Sequence, residues 1–469
     1  MKVLHVGHGF YPWRRGGSLD HALALMNMQI NKGMQVYYFF SGRVYPFGEK
    51  PKLKKWKNNS INFYELINSP LISLQGDGVS NPQAYINNKD IQRIFSELIE
   101  EINPDIVHIQ ELISLPSSLI DIVKDKFKIP LIITLHDYSM LCPTIKLFKY
   151  DNSNCSTQKI GLECCKCSNN APQNNNMVIG ATIAYHLEKI HIPSNNLYNL
   201  FLKLHNTLVP AETHKLKPVE CENPHLKDVY QERRDLNIKR LEKADLIIAH
   251  SHGQRKVLSN FIDSDKIKTI HPAAQHLKKI KMNKKSDITY PLKFGTLNGC
   301  LSIEKGSQLV LDALKILNRK GLKNKYNFHI WGSMNRDNYS DFLKLDNVYY
   351  HGRYDVNDLN QILDNVDVGL VPSVWEEVYG FVGIEFLKKG IPVIGNKRGG
   401  IPEYVIENST GWLNKSVTSE ELATIMQGII ENPDKIVELN NNISKIKFKT
   451  LEENFNEINR LYANLLQKS

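Results

Sequence analysis

The stretch that decides the fold is Pro372-Ser373-Val374-Trp375-Glu376-Glu377-Val378-Tyr379-Gly380-Phe381-Val382-Gly383-Ile384-Glu385. It follows the apolar run 368–371, which is typical of a strand covered on both faces. A helix is expected to begin near Gly380, so that Glu377 lies in the loop and Glu385 on the first turns. Loops at the carboxyl ends of strands bind ligands in open α/β sheets, and free N–H groups at a helix start can hold a phosphate without a metal. The stretch therefore predicts a ligand site, although taken alone the two carboxylates also fit ordinary surface acids.

Short apolar runs alternate with amphipathic helices on both sides of this stretch, which is typical of parallel sheets with crossover helices. The helices 18–32 and 306–320 have apolar residues at helical spacing, and a glycine closes each of them. The chain of 469 residues is too long for one compact core. The pattern predicts an α/β fold of two Rossmann-like domains facing across a cleft. The predicted strands are 3–7, 36–40, 105–109, 130–135, 245–249, 292–296, 328–331, 348–351, 368–371 and 392–394.

Changes in composition along the chain indicate the domain boundaries. The lysine-rich stretch 276–285 lacks an apolar pattern and is predicted to be a hinge, so the domains are expected to span 1–285 and 286–449. A cysteine-containing insertion is expected at about 142–225, where the alternation breaks down. Residues 450–469 predict an amphipathic helix, either packed back on the N-terminal domain or free to bind a partner.

The formal net charge is +10, with 59 basic and 49 acidic residues, which fits either anionic partners or simply a proteome rich in lysine and asparagine. The basic run 52–57 (KLKKWK) fits either a segment resting on an anionic membrane face or a solvated loop. No run of eighteen apolar residues is present, and the first residues read as a strand rather than as a secretory signal. A cytoplasmic protein with peripheral contact at the inner face of the plasma membrane is therefore expected. Nucleic acid is not an expected partner, because the sequence shows neither a helix of the kind that contacts bases in a groove nor an aromatic surface on which bases could stack.

Five of the seven cysteines fall between Cys142 and Cys167. Four thiolates can bind zinc tetrahedrally and staple an insertion, while reduced packing cysteines and redox chemistry are the alternatives. The predicted structural zinc ligands are Cys142, Cys155, Cys164 and Cys167. No catalytic metal is expected.

Motifs along nearly the whole chain resemble the retaining, family-4 type of glycosyltransferase, which has the GT-B fold. Each motif is weak alone, and the order and spacing of all of them carry the resemblance. Besides residues 372–385 they are FYP (10–12) with Gly16-Gly17, PDIVH (104–108), TLHDY (134–138) with LCP (141–143), ADLIIAHS (244–251), EKG (304–306), Asp367-Val368, and GGIPE (399–403) with Gly411.

The resemblance implies a role for each matching residue around a nucleotide-sugar donor. Glu385 would hold the ribose, Glu377 would orient hydroxyls of the donor sugar, and Lys305 would neutralise the departing diphosphate. His136 would sit beside the donor sugar, near the reacting carbon. The backbone amides expected at the sugar and diphosphate are those of Tyr379, Gly380, Phe381 and Val382, with Gly16 or Gly17 approaching from the other domain.

The function implied is transfer of a hexose-type sugar, with retention, from a nucleotide-diphosphate sugar to a glycan or lipid-linked acceptor in cell-surface polysaccharide synthesis. No protein nucleophile and no catalytic cofactor are expected. One position departs from the family, because Cys300 stands where an arginine is common; Arg398 is a candidate substitute. A catalytically silent relative is therefore an alternative. A GT-B enzyme of epimerisation or phosphorolysis is a separate alternative.

Overall fold

The described part of the chain forms two β-sheets flanked by helices. The computed structural model describes residues 1–11, 16–45, 50–71, 78–79, 81–156, 160, 163–168, 180, 182–183, 186–187, 189 and 224–467. Most of the predicted insertion at 142–225 lies outside these residues. The α/β class predicted from the alternating apolar runs is confirmed.

The first sheet has eight strands in the order β3-β4-β2-β1-β5-β6-β7-β8. All neighbouring strands are parallel except β3, which runs antiparallel to β4. Every residue of β5, β6 and β7 is buried, as expected for strands covered on both faces. The strands are β1 (Lys2–Gly7), β2 (Gln35–Ser41), β3 (Lys52–Asn58), β4 (Ile61–Ile67), β5 (Ile106–Ile109), β6 (Leu131–Leu135), β7 (Leu246–Ala249) and β8 (Ile267–Thr269).

The second sheet has six parallel strands in the order β11-β10-β9-β12-β13-β14. The order reverses between β9 and β12, and such a switch point is where an open parallel sheet leaves a crevice for a ligand. The strands are β9 (Leu292–Leu297), β10 (Tyr326–Trp331), β11 (Val348–Gly352), β12 (Val368–Val371), β13 (Val393–Asn396) and β14 (Gly411–Asn414).

Helices cover both sheets, and the two helices predicted from their apolar spacing are present as α1 and α7. In chain order the helices among the described residues are α1 (Gly17–Asn31), α2 (Lys89–Ile102), α3 (Leu119–Asp121), α4 (Glu163–Cys167), α5 (Pro224–Lys243), α6 (His252–Leu258), α7 (Ser307–Arg319), α8 (Arg336–Leu343), α9 (Leu359–Leu363), α10 (Phe381–Lys389), α11 (Ser419–Glu431), α12 (Asp434–Ile443) and α13 (Leu451–Leu466). None of them combines the length and the apolar character that crossing a membrane requires, within the part of the chain that the structure describes.

The basic run 52–57 is not a loop, because it forms most of the edge strand β3. Its partner β4 is almost wholly buried, and the Trp56 ring stacks on Phe63 at 4.1 Å between ring centroids. Lysines on an exposed edge strand discourage pairing with further strands. This polar sequence forms a strand because it pairs with β4 and because Trp56 stacks on Phe63.

The stretch 276–285, predicted as a hinge, lies against the second half of the chain. It starts within a 3-10 helix, Gln275–Lys279, and Leu277 and Ile280 are buried among side chains of the second half. The Asn283 N–H donates to the Lys389 carbonyl at 2.9 Å. The boundary at residue 285 stays a prediction.

The terminal helix α13 lies against α1 of the first half. A capping box starts it, in which Thr450 and Glu453 satisfy each other's backbone N–H groups. Asn454 and Tyr462 of α13 are buried and hydrogen-bonded to residues of the first half. The last helix is therefore part of the structure that supports the first sheet.

Candidate active site

The stretch 372–385 connects β12 to α10 at the carboxyl edge of the second sheet. Gly380 precedes α10 with φ 83°, a left-handed conformation that glycine adopts without strain. No side chain caps the start of α10, so its first N–H groups are available to an anion. Among the predicted amides, those of Phe381 and Val382 belong to this first turn, and those of Tyr379 and Gly380 precede it.

Glu377 is buried in the loop, and one of its oxygens accepts three hydrogen bonds. Oε2 accepts from Lys305 Nζ at 2.7 Å, from Ser373 Oγ at 2.8 Å and from Trp375 Nε1 at 3.0 Å. Lys305 Nζ also lies 5.0 Å from the centroid of the Trp375 ring. The two residues predicted to act on sugar and diphosphate thus form one ion pair, whose lysine side chain is 30% exposed.

Glu385 is buried on α10 with one oxygen satisfied and one without a partner. Its Oε1 lies 2.8 Å from His276 Nε2, whereas the buried Oε2 has no hydrogen bond. A buried carboxylate oxygen without a donor is unfavourable, so this position is suited to a hydroxyl group from outside the protein. His276 was not predicted, because it stands in the supposed hinge 109 residues away in sequence.

Tyr404 is a second buried polar group at the start of α10 that sequence reasoning missed. Its hydroxyl has no partner, and a Cβ placed on Gly380 would lie 3.2 Å from it. Burial, with Glu377 nearby, raises the pKa of Tyr404 well above its usual value, so the hydroxyl keeps its proton. The only signal in the sequence is its position directly after the GGIPE motif at 399–403.

The glycine loop of the first half faces α10 across the cleft. A Cβ on Gly17 would lie 3.3 Å from the Phe381 ring, which is tighter than ordinary contact. Gly16 has φ 142° and no neighbouring atom within 4 Å of a Cβ placed there. The structure therefore brings Gly17 to the predicted donor-binding helix, while Gly16 borders open space.

His136 follows β6 on the opposite side of the cleft and has both ring nitrogens engaged. Nε2 lies 3.0 Å from Gln110 Oε1, and Nδ1 lies 2.9 Å from His250 Nε2. Because an amide oxygen only accepts, His136 carries its proton on Nε2. The Gln110 amide in turn donates to His5 Nδ1 at 3.1 Å.

This hydrogen-bond chain continues to the terminal helix. His5 Nε2 donates to Gln29 Oε1 at 2.7 Å, and Gln29 Nε2 donates to Tyr462 Oη at 3.2 Å. The Tyr462 hydroxyl then donates to His108 Nδ1 at 2.6 Å, and His108 Nε2 to Thr134 Oγ1 at 2.7 Å. With the Gln110 and Gln29 amides oriented as they are in the structure, each group of this chain has one consistent donor or acceptor role, so α13 takes part in fixing the tautomer of the cleft histidine.

Burial keeps these histidines neutral. It lowers the pKa of His5 to about 4 and of His250 to about 3, and it lowers the pKa of His136 and His108 well below the usual value. At pH 7, His136 is therefore a neutral imidazole that can donate or accept a hydrogen bond.

Direct hydrogen bonds join the two halves beside the site. The Ser251 hydroxyl donates to the Val378 carbonyl at 2.6 Å, and Gly253 N–H donates to Glu403 Oε1 at 2.9 Å. Tyr138 Oη donates to the Glu376 carbonyl at 3.1 Å. The motifs quoted from both halves of the sequence thus meet at one interface.

Cys300 does not reach the site, because its side chain lies in the core of the second half. Burial raises the pKa of its thiol. Arg398 donates Nη1 to the Lys397 carbonyl at 3.3 Å, and its buried Nε has no partner. Neither residue forms a hydrogen bond or ion pair with Lys305 or Glu377.

The four cysteines predicted as zinc ligands line a single small cavity together with Arg234. All four are free thiols, and burial raises the pKa of Cys167 to about 11 and that of Cys164 further. No three of these sulfur atoms lie within 4.8 Å of one another among the described residues. The zinc site stays a prediction.

Comparisons with known proteins show what parts of the chain are similar to. Residues 293–449 match the family model described as glycosyl transferases group 1. A putative colanic acid biosynthesis glycosyltransferase WcaL of Escherichia coli is 28% identical over 178 residues, 36% of this chain and 43% of that protein. The chain spans about half, or less, of the length of the curated relatives it matches.

The likeness to solved structures extends over the whole chain. Sucrose-phosphate synthase of Thermosynechococcus elongatus matches with a TM-score of 0.64 at 15% identity, covering 100% of both chains. Anabaena HepE, solved in complex with UDP-glucose, matches with a TM-score of 0.58 at 15% identity, again covering 100% of both chains. The predicted GT-B fold is confirmed, and so is the resemblance to group 1 glycosyl transferases for residues 293–449.

Proposed function

Since residues 293–449 match group 1 glycosyl transferases and the whole chain has the GT-B fold, we propose that this protein is a glycosyltransferase that uses a nucleotide-diphosphate sugar. HepE was solved with UDP-glucose, and WcaL is named for colanic acid biosynthesis. By analogy, the sugar passes to a glycan or lipid-linked acceptor during polysaccharide synthesis. The basic edge strand β3 suits peripheral contact with the inner face of the plasma membrane.

The observation that carries the proposal is the unpaired Oε2 of Glu385 beside the uncapped start of α10. A ribose offers hydroxyl donors to the carboxylate, and the diphosphate offers acceptors to the N–H groups of the helix. Tyr404 Oη offers a further hydrogen bond at the same end of α10.

The remaining residues suit the departure of the nucleotide diphosphate. A leaving diphosphate gains negative charge as the bond to the sugar breaks, so fixed positive potential at that point stabilises the transition state. Lys305 and the N-terminus of α10 supply this potential, and no metal is required. Glu377 is held by Ser373 and Trp375, so that it keeps its orientation toward sugar hydroxyls when Lys305 turns to the phosphate.

His136 is placed on the opposite wall, where a neutral imidazole can hydrogen-bond the donor sugar without adding charge. Attack of the acceptor on the face from which the diphosphate departs gives retention and needs no protein nucleophile. The departing phosphate oxygen is then the base that receives the acceptor's proton.

The proposal is tested by thermal unfolding of the full chain with UDP, GDP and ADP and their common sugar conjugates at millimolar concentration. Binding to the folded state raises the unfolding midpoint by mass action. One nucleotide series is expected to raise the midpoint, and Glu385→Gln is expected to reduce the rise. Glu420→Gln, an exposed position at the start of α11, is the matched control. No shift with any nucleotide would refute the donor site.

The buried Cys300 favours a second candidate, a silent relative that binds a nucleotide sugar without transferring it. The two candidates differ in turnover. Slow release of free sugar, or transfer to added acceptors, with retained anomeric configuration supports the enzyme. A stabilising nucleotide sugar that remains intact after prolonged incubation supports the silent relative.

A further inference from the structure

Three histidines from different elements converge on the floor of the cleft in the first half. His21 lies on α1, His136 follows β6, and His250 follows β7. One ring nitrogen of each lies within 4.8 Å of a ring nitrogen of both others. The closest pair is His136 Nδ1 and His250 Nε2, 2.9 Å apart.

The hydrogen bonds of His21 fix where its proton sits. Its Nε2 lies 3.3 Å from Asn454 Oδ1, and Asn454 Nδ2 donates to the His271 carbonyl at 2.9 Å. The amide is thereby oriented with its oxygen toward His21, so Nε2 of His21 carries the proton. Its Nδ1 has a lone pair, is buried, and has no hydrogen-bond partner.

The other two histidines are arranged in the same way. Nε2 of His136 donates to Gln110 Oε1 at 3.0 Å, and Nδ1 of His250 faces the Ile270 carbonyl at 3.3 Å. Both partners are acceptors only. The remaining nitrogens, His136 Nδ1 and His250 Nε2, therefore face each other as lone pairs, which repel unless a cation lies between them.

We propose that His21, His136 and His250 bind a divalent transition-metal ion of the zinc class. Imidazole nitrogens suit zinc, copper and nickel, whereas magnesium and calcium require oxygen ligands. A histidine that binds a metal usually donates its other N–H to an amide, carbonyl or carboxylate oxygen. All three histidines have that second contact, with Asn454, Gln110 and the Ile270 carbonyl as acceptors.

The electrostatics of the cluster suit a metal at neutral pH. Burial lowers the pKa of His21 to about 4 and that of His250 to about 3, so no proton competes for the lone pairs. Tetrahedral zinc with Zn–N bonds of about 2.0–2.1 Å separates its nitrogens by about 3.3 Å. The His136–His250 pair needs to open by only about 0.4 Å on that basis. His136 is half-buried on the cleft side, which leaves a fourth coordination position for water.

The site shares His136 with the proposed donor pocket. With Nδ1 on the ion and Nε2 bound to Gln110, this ring has no nitrogen left for the donor sugar, so a bound ion would replace the hydrogen bond proposed between His136 and that sugar. The ion would join the start of α1 to the carboxyl ends of β6 and β7. It would also bind Nδ1 of His136, whose Nε2 is held by the hydrogen-bond chain through Gln110.

Cobalt titration of the full chain, freed of metal by a chelator, tests the site. One cobalt ion per chain is expected to give the visible absorption of a low-symmetry nitrogen site, and His21→Leu and His250→Leu are each expected to abolish it. Two control variants address the other candidate clusters. His252→Ala removes one member of the exposed group His252, His271 and Glu403, and Cys164→Ser removes one cysteine, whose thiolate would give sulfur-to-cobalt charge-transfer bands in the near ultraviolet.

The proposal is overturned if wild-type protein gives no visible bands, or if the bands persist in His21→Leu and disappear in either control. Thermal unfolding without metal shows whether each variant folds. Zinc is then expected to raise the midpoint of wild type and of both controls, and to leave those of His21→Leu and His250→Leu unchanged. A His21→Gln variant repeats the test should leucine prevent folding.

Discussion

The unpaired oxygen of Glu385 gives a prediction in which binding and stability move in opposite directions. In the wild-type protein, Oε1 of Glu385 lies 2.8 Å from His276 Nε2. In Glu385→Gln the amide oxygen can keep this contact, and an NH2 group replaces the unpaired Oε2. A ribose hydroxyl then meets a neutral group instead of a carboxylate. Hydrogen bonds to charged groups contribute about 1.5–3 kcal/mol, so the donor Kd is expected to rise about 10- to 150-fold.

The same change removes a buried charge that has one oxygen without a donor. The free energy of unfolding of the ligand-free protein is therefore expected to stay unchanged or to rise by up to about 3 kcal/mol, the usual penalty for such a group. A residue that served only the fold would behave in the opposite way, because its replacement would lower stability.

Isothermal titration with the stabilising nucleotide sugar measures the Kd, and urea unfolding without ligand measures stability. Glu420→Gln again serves as the control and is expected to change neither quantity. A donor Kd within threefold of wild type would refute the ribose assignment. A loss of stability of 2 kcal/mol or more would show that Oε2 has a donor inside the folded protein.

Three further perturbations test the cleft from the other side. Tyr462→Phe breaks the hydrogen-bond chain at two buried groups and is expected to cost about 1–3 kcal/mol for each, read by urea unfolding. Gly17→Val crowds the ring of Phe381, which lies only 3.3 Å from a Cβ placed on Gly17, and is expected to lower kcat with the fold intact. Gly428→Val is the control and is expected to leave kcat unchanged, because no atom lies within 4 Å of a Cβ placed there. The pKa of His5 is about 4 in the folded protein against 6.5 when unfolded, so the unfolded chain gains a proton between these values. As the pH falls from about 6.5 to about 4, the free energy of unfolding should therefore decrease by about 1.4 kcal/mol per pH unit on account of His5. In His5→Gln this dependence on pH should be weaker.

Sequence patterns predicted most of the elements that are regular and buried, although the buried strand β4 was missed. Strand β12 lies at the predicted residues 368–371, and α10 begins one residue after Gly380, because apolar runs and glycines report directly on burial and backbone conformation. The predicted helix 306–320 differs from α7 by one residue at each end.

The elements that were missed depend on contacts between distant residues. Strand β3 is lysine-rich and has no apolar alternation; its conformation follows from pairing with β4 and from the stacking of Trp56 on Phe63. Strand β14 has four residues, of which the two central ones are only partly buried. His276 meets Glu385 across 109 residues, and local periodicity contains no information on such a contact.

The burial of Cys300 changes how the positive potential at the diphosphate must be supplied. In the family an arginine is common at this position, and here the side chain belongs to the core of the second half. The Lys305 ammonium is paired with Glu377 before the donor arrives, so its field is partly neutralised until the diphosphate displaces that contact. The ion pair is 30% exposed on the lysine side and 9% on the glutamate side, which makes the lysine the partner able to move. In the proposed function, a donor that binds would release Lys305 toward phosphate and leave the Glu377 carboxylate with Ser373 and Trp375, free to accept a sugar hydroxyl. Binding of the phosphate and orientation of the sugar would then be coupled through one ion pair, and the helix start of α10 would be the part of the potential that is present from the beginning.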